Sequence, residues 1–307
     1  MTRASDEASP RSCCAPQQPR SVAEPVKPMA TTLEGDPLDF GLMPIPGGTF
    51  VMGTDEPQRW PCDGESPARP VQVDDFLLAS GTTTNRMFTA FVAQTGYVTQ
   101  AERFGSSFVF GGHLPADFPA TRGVVAAPWW REVEGADWMH PFGPQSTLHR
   151  GLADHPVVHV SRNDAATFCA WAGVRLPNEA EWERAARGGV DGQRFPWGDS
   201  LLVDGWHRCN TFQGIFPSQD TGDDGFVGTA PAHAYEPNAF GLHNMVGNVW
   251  EWCDGAFTPG DRSGVARGGS YLCHESYCDR YRVSARTALA PDSTAGNVGF
   301  RVAAPSR

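Results

Sequence analysis

The amino-acid sequence predicts a single α+β domain that is rich in loops and low in regular secondary structure. The 307 residues include 34 Gly and 26 Pro, which favour turns, together with 10 Trp and 18 Phe, which need a packed interior. Hydrophobic residues make up 40 % of the chain, enough for a substantial core. Beyond residue 189 the pattern breaks into short runs between Gly, Pro, Asn and Asp. We therefore expect large side chains held between many turns rather than long helices.

The chain divides into two parts of different composition. Residues 1–40 are rich in Pro, Ser, Ala and charge and show no apolar periodicity, so they are predicted to form a disordered N-terminal tail. Cys13 and Cys14 lie in this tail, where metal handling is an open role for them. The segment PIPGGTFVMG then begins a strand-like alternation, and no comparable linker follows. Residues 41–307 are predicted to form one domain.

Three helices are predicted from apolar spacing and cap residues. They lie within 82–96, 161–173 and 175–189, and each ends at or beside a glycine. In the third segment Asn178 and Glu181 have the spacing of a capping box. These helices are interpreted as structural.

Charge and targeting signals exclude several classes of function. The net charge of −11, without a Lys/Arg cluster, argues against a nucleic-acid partner. No stretch approaches the roughly 20 apolar residues that cross a bilayer, and the N-terminus lacks the apolar core of a secretory signal. We therefore expect a cytoplasmic protein, without membrane insertion, whose eight cysteines are thiols.

The segment RGGSYLCHESYCDRYR, residues 267–282, contains the most informative feature, a pair of cysteines. Cys273 and Cys278 are five residues apart, a poor spacing for one helix face, so a shared site requires a turn between them. Two soft thiolates without further ligands suit Cu(I) better than tetrahedral zinc. Arg280 and Arg282 are expected to lower the thiol pKa values. From spacing alone, unrelated thiols or a structural disulfide remain alternatives.

The cysteine segment and its surroundings resemble a known family, the formylglycine-generating enzymes or sulfatase-modifying factors. Nearly everything after residue 43 takes part in this resemblance. The segments that carry it are TGYVTQAERFGSSFVF (95–110), HPVVHVS (155–161), RLPNEAEWERAARGG (175–189), FPWG (195–198), TGDDGF (221–226), GLHNMVGNVWEWC (241–253), RGGSYLCHESYCDRYR (267–282) and PDSTAGNVGFR (291–301). The RLPNEAEWE and GNVWEW pieces are shared by a wider superfamily and imply its C-type-lectin-like fold, whereas SYLCHESYC is specific to the enzymes.

The resemblance implies a copper-dependent oxidase. Its substrate is the cysteine of a CxPxR motif in an unfolded sulfatase-type polypeptide, which is converted to formylglycine with O2 and a thiol reductant. The resemblance gives active-site positions to Cys273, Cys278, Ser270, Trp250, Tyr277 and Asn297. Among these, Cys273 and Cys278 bind Cu(I), the substrate cysteine joins as a third thiolate, and O2 binds beside Ser270 and Trp250.

The resemblance also implies two structural Ca2+ sites made of oxygen ligands. The first set of positions is Asn210, Thr211, Asp224 and Phe226. The second is Asn244, Gly247, Val249 and Glu251. In the second set, an extended chain turns the carbonyl groups of Gly247 and Val249 to the same side as the Glu251 carboxylate.

Two other classes of function compete with the oxidase. A non-enzymatic binding module on the same fold is expected to lack the cysteine pair. A non-haem iron sulfoxide synthase needs an HxxxHxE motif, but Ser161 stands where the carboxylate belongs after His155 and His159. An N-terminal helical domain of the kind that such synthases carry is also not visible in the sequence.

Overall fold

The computed structural model describes residue 16 and residues 38–57, 60–148 and 151–306. Most of the predicted disordered tail lies outside these residues. Within the described part the fold contains four α-helices and sixteen short strands. The helices are α1 (Asn85–Thr95), α2 (Gln100–Phe104), α3 (Arg162–Ala172) and α4 (Glu179–Ala186). None of them is long and apolar enough to cross a bilayer.

The strands form several small sheets rather than one large sheet. They are β1 (Leu42–Ile45), β2 (Gly48–Met52), β3 (Arg69–Val73), β4 (Phe76–Ala79), β5 (Ser106–Phe110), β6 (Arg122–Val124), β7 (Ala127–Glu134), β8 (Leu202–Val203), β9 (Trp206–His207), β10 (Gly214–Ile215), β11 (Gln219–Asp220), β12 (Trp250–Ala256), β13 (Gly264–Arg267), β14 (Arg286–Leu289), β15 (Val298–Gly299) and β16 (Ala303–Pro305). The prediction of an α+β fold with low regular content is confirmed.

Local cap chemistry sets the helix ends. The three predicted helices are present as α1, α3 and α4. Thr84 caps α1 by accepting a hydrogen bond from the Met87 N–H, and Asn178 with Glu181 forms the predicted capping box of α4. The short α2 was not predicted, although Thr99 and Glu102 form a capping box there.

The aromatic residues fill the interior between the loops. Trp130, Trp138, Trp250 and Trp252 are each at most 1 % exposed, and they belong to one large buried cluster. Aromatic side chains bury large areas, so this cluster stabilises loops that make few ladder hydrogen bonds of their own.

The four-stranded sheet β14-β13-β12-β15 positions the predicted site. Strand β12 pairs antiparallel with β13 and parallel with β15, which places Trp250 opposite Val298. The segment 268–285, which contains both cysteines, leaves this sheet after β13 and returns at β14. The cysteine segment and the 291–297 loop converge near Trp250, because Asn297 contacts both the Trp250 N–H and the Ser270 Oγ.

Candidate active site

A turn brings the two predicted cysteines together. The Sγ atoms of Cys273 and Cys278 are 3.5 Å apart, and both side chains are buried. A disulfide has an S–S distance of about 2.05 Å, so these sulfurs are in contact as free thiols. The turn is closed by the Cys273 N–H donating to the Ser270 carbonyl and the Cys278 N–H donating to the His274 carbonyl. The predicted turn between the cysteines is therefore present.

Gly269 permits the tight approach at the start of this turn. Its φ of +76° lies in the left-handed region, and a Cβ atom at this position would lie 2.6 Å from the Arg280 carbonyl oxygen. The next residue, Ser270, donates its backbone N–H to the Cys273 Sγ at 3.4 Å. The glycine thus allows the chain to fold back onto the segment that follows the cysteine pair.

Burial dominates the protonation of Cys273. The pKa of Cys273 is raised well above its ordinary value, first by burial and then by the neighbouring Cys278. Arg280 opposes this rise and donates to the Cys278 Sγ at 3.8 Å. Arg280 thus lowers the pKa of Cys273 in the predicted direction, but desolvation outweighs the guanidinium and the net shift of this pKa is upward. A cation bound between the sulfurs would offset that desolvation.

Arg280 is held by residues that the sequence interpretation missed. Its Nε donates to Asp63 Oδ2 at 2.5 Å, and both side chains are fully buried. The guanidinium also lies 5.0 Å from the ring centroid of Trp60. Asp63 is 217 residues away from Arg280 in the sequence, so no local sequence pattern predicts that the two residues pair.

Arg282, unlike Arg280, directs its guanidinium to the carboxylate of Glu65. It donates to both carboxylate oxygens of Glu65 at 2.6 and 2.8 Å. Ser284 donates to the same carboxylate at 2.7 Å. Arg282 therefore joins the 60–65 loop to the cysteine segment.

Three other predicted residues are linked by hydrogen bonds next to Cys273. The Asn297 Nδ2 donates to the Ser270 Oγ at 3.0 Å, and the Trp250 N–H donates to the Asn297 carbonyl at 2.8 Å. All three are at most 1 % exposed. The indole Nε1–H of Trp250 is buried and has no hydrogen-bond partner among the described residues. A buried unsatisfied donor costs stability unless it finds a partner, so this indole N–H is available to donate to a small polar molecule.

Tyr277, the remaining predicted residue, belongs to an aromatic wall next to Cys278. Its ring lies 4.7 Å from that of Trp129, edge to face, and is stacked 5.2 Å from that of Phe216. Phe216 also packs against Phe212 and stacks on His274. Tyr277 is thus a half-buried wall residue beside the sulfur pair.

A cavity of about 690 Å³ lies beside β5 and β7. Its lining includes Ser106 and the carboxylates of Glu132 and Glu134. Glu132 accepts hydrogen bonds from Ser106 and from Arg122, whose side chain is 81 % exposed. Strand β5 continues from this cavity to Phe108, which pairs with Ala295 in the loop that contains Asn297.

The predicted second calcium segment differs from the extended chain assumed for it. Asn244, Gly247 and Asn248 have φ values of 51°, 75° and 59°, and strand β12 begins only at Trp250. The premise of carbonyl alternation along an extended strand is therefore wrong. The Asn244 Oδ1 is buried without a hydrogen-bond partner among the described residues, which leaves it available to a cation.

Glu251 from the same set has strong protein partners. Arg301 donates to both of its oxygens at 2.6 and 2.7 Å, and the Trp182 indole donates to one of them at 2.7 Å. Gly247 would place a Cβ 2.4 Å from the Asn210 carbonyl oxygen, so the two predicted calcium segments are in contact there.

The first calcium set is brought together by Asp224. Its two oxygens accept the N–H groups of Thr211 and Phe226 at 2.8 and 3.1 Å. Asn210 is buried, and its amide donates to the Gly228 carbonyl. Burial raises the pKa of Asp224, and a bound cation would offset this effect.

The two histidines of the competing iron motif are used elsewhere. The nitrogens of His159 contact the Ser107 hydroxyl at 2.7 Å and the Pro141 carbonyl at 2.9 Å, and burial lowers its pKa to about 4. His155 contacts the Thr229 hydroxyl at 2.9 Å. In the described ranges, no three His, Cys, Asp or Glu side chains are grouped as a metal site.

Comparison with known proteins agrees with this geometry. Residues 38–305 match the family described as sulfatase-modifying factor enzyme 1-like domain. A protein of Thermomonospora curvata named formylglycine-generating enzyme is 52 % identical, and the match covers 86 % of this chain and 93 % of that protein. A mouse protein named inactive C-alpha-formylglycine-generating enzyme 2 is 43 % identical over 88 % of this chain and 87 % of that protein. PvdO from Pseudomonas aeruginosa shares the fold, with a TM-score of 0.59 and 22 % identity over 86 % of this chain and 94 % of that one. This chain therefore belongs to the sulfatase-modifying factor family of formylglycine-generating enzymes.

Proposed function

We propose that this chain is a copper-dependent formylglycine-generating enzyme that oxidises the cysteine of a CxPxR motif in an unfolded sulfatase-type polypeptide. O2 is the oxidant, a thiol supplies two further electrons, and the cytoplasm is the proposed location. The observation that carries the proposal is the contact between the sulfurs of Cys273 and Cys278, which lie in the same buried cluster as Trp250 with its unsatisfied indole N–H.

The donor set fits Cu(I). Cys273 and Cys278 would hold it, because two soft thiolates without a third side-chain ligand suit an ion that accepts low coordination numbers. When bound there, Cu(I) would supply the redox chemistry with O2 and the substrate sulfur. Arg280, held by Asp63, contributes a positive charge next to Cys278, which would stabilise the thiolate form needed for metal binding.

The overall reaction balances with the proposed reactants. The thiol-bearing methylene group of the substrate, O2, two electrons and two protons give the aldehyde, one hydrogen sulfide and one water. The carbon gives up two electrons, the thiol reductant gives two more, and O2 accepts all four. A reductant is therefore a stoichiometric requirement of the proposal.

The protein residues position the small reactant. The Ser270 Oγ accepts hydrogen bonds from the Asn297 side chain and from the Leu272 N–H. The hydroxyl proton of Ser270 can therefore be donated to a bound reactant. The Trp250 Nε1–H is a second buried donor in the same cluster, and hydrogen bonds from buried donors to an anionic oxygen are strong. These donors stabilise charge that develops on oxygen and exclude bulk water.

The carboxylates of the large cavity are suited to the substrate arginine. Glu132 and Glu134 lie on one face of β7 at i and i+2, and they leave room for a guanidinium in a cavity of about 690 Å³. Carboxylates accept the N–H groups of Arg in fixed geometry. The aromatic wall around Tyr277 then offers an apolar surface for the rest of the peptide.

Two Ca2+ ions form part of the proposal as structural ligands. Asn210, Thr211, Asp224 and Phe226 would hold one of them. Asn244, Gly247, Val249 and Glu251 would hold the other. The unpartnered Asn244 Oδ1 and the buried Asp224 support this role, since a hard cation satisfies buried oxygens.

Because one relative is named inactive, membership of the family does not by itself establish activity, so the test is made on the cysteine pair. The test is to load the protein with Cu(I), add a CxPxR peptide, a thiol reductant and air, and follow conversion of the cysteine to an aldehyde by mass spectrometry. We expect product with the unchanged chain and none with Cys273→Ser or Cys278→Ser. If the copper-loaded chain gives no product, the proposal fails and the binding-module alternative is favoured.

A further inference from the structure

A buried series of side-chain contacts runs from His159 to the loop that contains Asn297. The Nδ1 of His159 contacts the Ser107 Oγ at 2.7 Å, and the Ser107 Oγ contacts the Thr294 Oγ1 at 2.8 Å. His159, Ser107 and Thr294 are all 0 % exposed. On the other side of the imidazole, the Nε2 contacts the Pro141 carbonyl oxygen at 2.9 Å. Three segments that are distant in the sequence are thus joined by side chains that solvent does not reach.

The partners of the His159 ring fix its orientation. A carbonyl oxygen only accepts hydrogen bonds, so the Nε2 carries the proton that is donated to Pro141. Burial lowers the pKa of His159 to about 4, so the ring is neutral at pH 7 and the Nδ1 is an acceptor. The Ser107 hydroxyl therefore donates to this nitrogen. Rotation of the ring would break two buried hydrogen bonds at once.

The backbone of His159 holds the same loop. Its φ of 59° lies in the left-handed region, which His adopts more readily than most residues other than Gly. In this conformation the His159 N–H donates to the Ala295 carbonyl at 3.0 Å. The Gly296 N–H donates to the Phe108 carbonyl at 2.9 Å, and a Cβ atom at Gly296 would lie 3.2 Å from the His159 Nε2. The loop therefore packs directly against the imidazole and has little room to shift.

The held loop presents Asn297 to Ser270. Asn297 follows Gly296 directly, and its Nδ2 donates to the Ser270 Oγ at 3.0 Å. Thr294 is only three positions before Asn297, and the interior between them is closely packed. A shift at Thr294 is thus carried to the amide that orients the Ser270 hydroxyl.

We propose that His159, acting through Ser107, Thr294 and Asn297, is a positioning residue for the Ser270 hydroxyl. This inference rests on the proposed function, in which that hydroxyl donates to a bound reactant. Misplacement of a reacting group by about 1 Å costs up to about 100-fold in rate. The contacts lead to Ser270 rather than to the sulfur pair, so their loss should slow turnover and leave the binding of Cu(I) and of peptide unchanged.

A kinetic comparison of matched variants tests the positioning. Thr294→Val keeps the shape of the side chain without its hydroxyl and should lower kcat, per copper-loaded chain, by at least about fivefold at unchanged KM. Thr294→Ser keeps the hydroxyl and should retain at least about half of kcat. The control is Thr287→Val on β14, which removes a buried hydroxyl without a hydrogen-bond partner among the described residues and should leave kcat unchanged. Equal kcat values for Thr294→Val and the unchanged chain would overturn the proposal.

Hydrogen exchange tests the same proposal without turnover. In the copper-free protein with ¹⁵N-labelled asparagine, the Asn297 side-chain amide is assigned from its loss in Asn297→Asp. Thr294→Val should speed the exchange of this amide by at least about tenfold, whereas Thr294→Ser should not. The Asn238 amide, which donates to the Ala185 carbonyl, reports on general loosening and should exchange at the same rate in all three proteins.

The two measurements separate the positioning from the proposed oxidase. Unchanged exchange of the Asn297 amide in Thr294→Val, or equal acceleration of Asn297 and Asn238, would overturn the positioning. Faster exchange confined to Asn297, in a chain that never oxidises a CxPxR peptide, would keep the positioning and remove the proposed oxidase instead.

Discussion

Replacing Asp63 should lower the Tm of the protein substantially, although Asp63 lies far in sequence from every predicted site residue. Asp63 and Arg280 are both 0 % exposed and their contact is 2.5 Å. Asp63→Ala leaves the Arg280 guanidinium buried without its carboxylate. Removal of one partner of a buried pair costs about 3–5 kcal/mol. For a domain of this size, 1 kcal/mol shifts Tm by about 2–4 °C, so we expect a fall of roughly 6–20 °C.

The assay is thermal unfolding followed by circular dichroism. Asp74→Ala removes an exposed carboxylate and serves as the control, with Tm within about 2 °C of the unchanged chain. The double variant Asp63→Ala with Arg280→Met should regain part of the loss, because no unpaired charge remains. A fall below about 2 °C for Asp63→Ala would refute the reasoning that this pair holds the cysteine segment in place.

Three further predictions concern the cavity, the buried histidine and calcium. Glu134→Gln should raise the KM for a CxPxR peptide by up to about fivefold and leave a CxPxQ peptide unaffected, and equal effects on both peptides would contradict the arginine site. Burial lowers the pKa of His159 to about 4 against 6.5 when unfolded, so stability should be full above pH 6.5 and fall as the pH drops toward 4, by up to about 3 kcal/mol from this residue. In urea titrations, the free energy of unfolding of His159→Gln should depend less on pH than that of the unchanged chain. An equal pH dependence in the two proteins would contradict the role given to His159. Added Ca2+ should raise Tm over a chelator-treated sample, and less so in Asp224→Asn, whereas no response to Ca2+ would argue against both calcium sites.

Local signals allowed the helices and the cysteine turn to be predicted from the sequence. The caps at Thr84 and Asn178 act on N–H groups within three residues, so their effect is visible in a short stretch of sequence. The five-residue helix α2 has such a cap at Thr99, but it is too short to show apolar periodicity. Helices with a local cap and enough residues to show apolar periodicity are therefore predictable from the sequence, whereas shorter ones are not.

The contacts around the sulfur pair could not be predicted because they join distant segments. Asp63 reaches Arg280, and Glu65 reaches Arg282, across 217 residues. Nothing near either arginine specifies which carboxylate it meets. The pKa of Cys273 could not be predicted for the same reason. The sequence shows the neighbouring Arg280, but the burial of the Cys273 thiol, which dominates its pKa, depends on the whole fold.

Anaerobic titration with Cu(I) against a coloured Cu(I) chelator tests the central claim most directly. The account predicts that one Cu(I) binds per chain and that Cys273→Ser and Cys278→Ser each abolish this binding. Cys209→Ser removes a buried thiol elsewhere in the core and should keep it. Binding that survives in either of the first two variants, or no binding in the unchanged chain, would contradict a copper centre held by the two sulfurs.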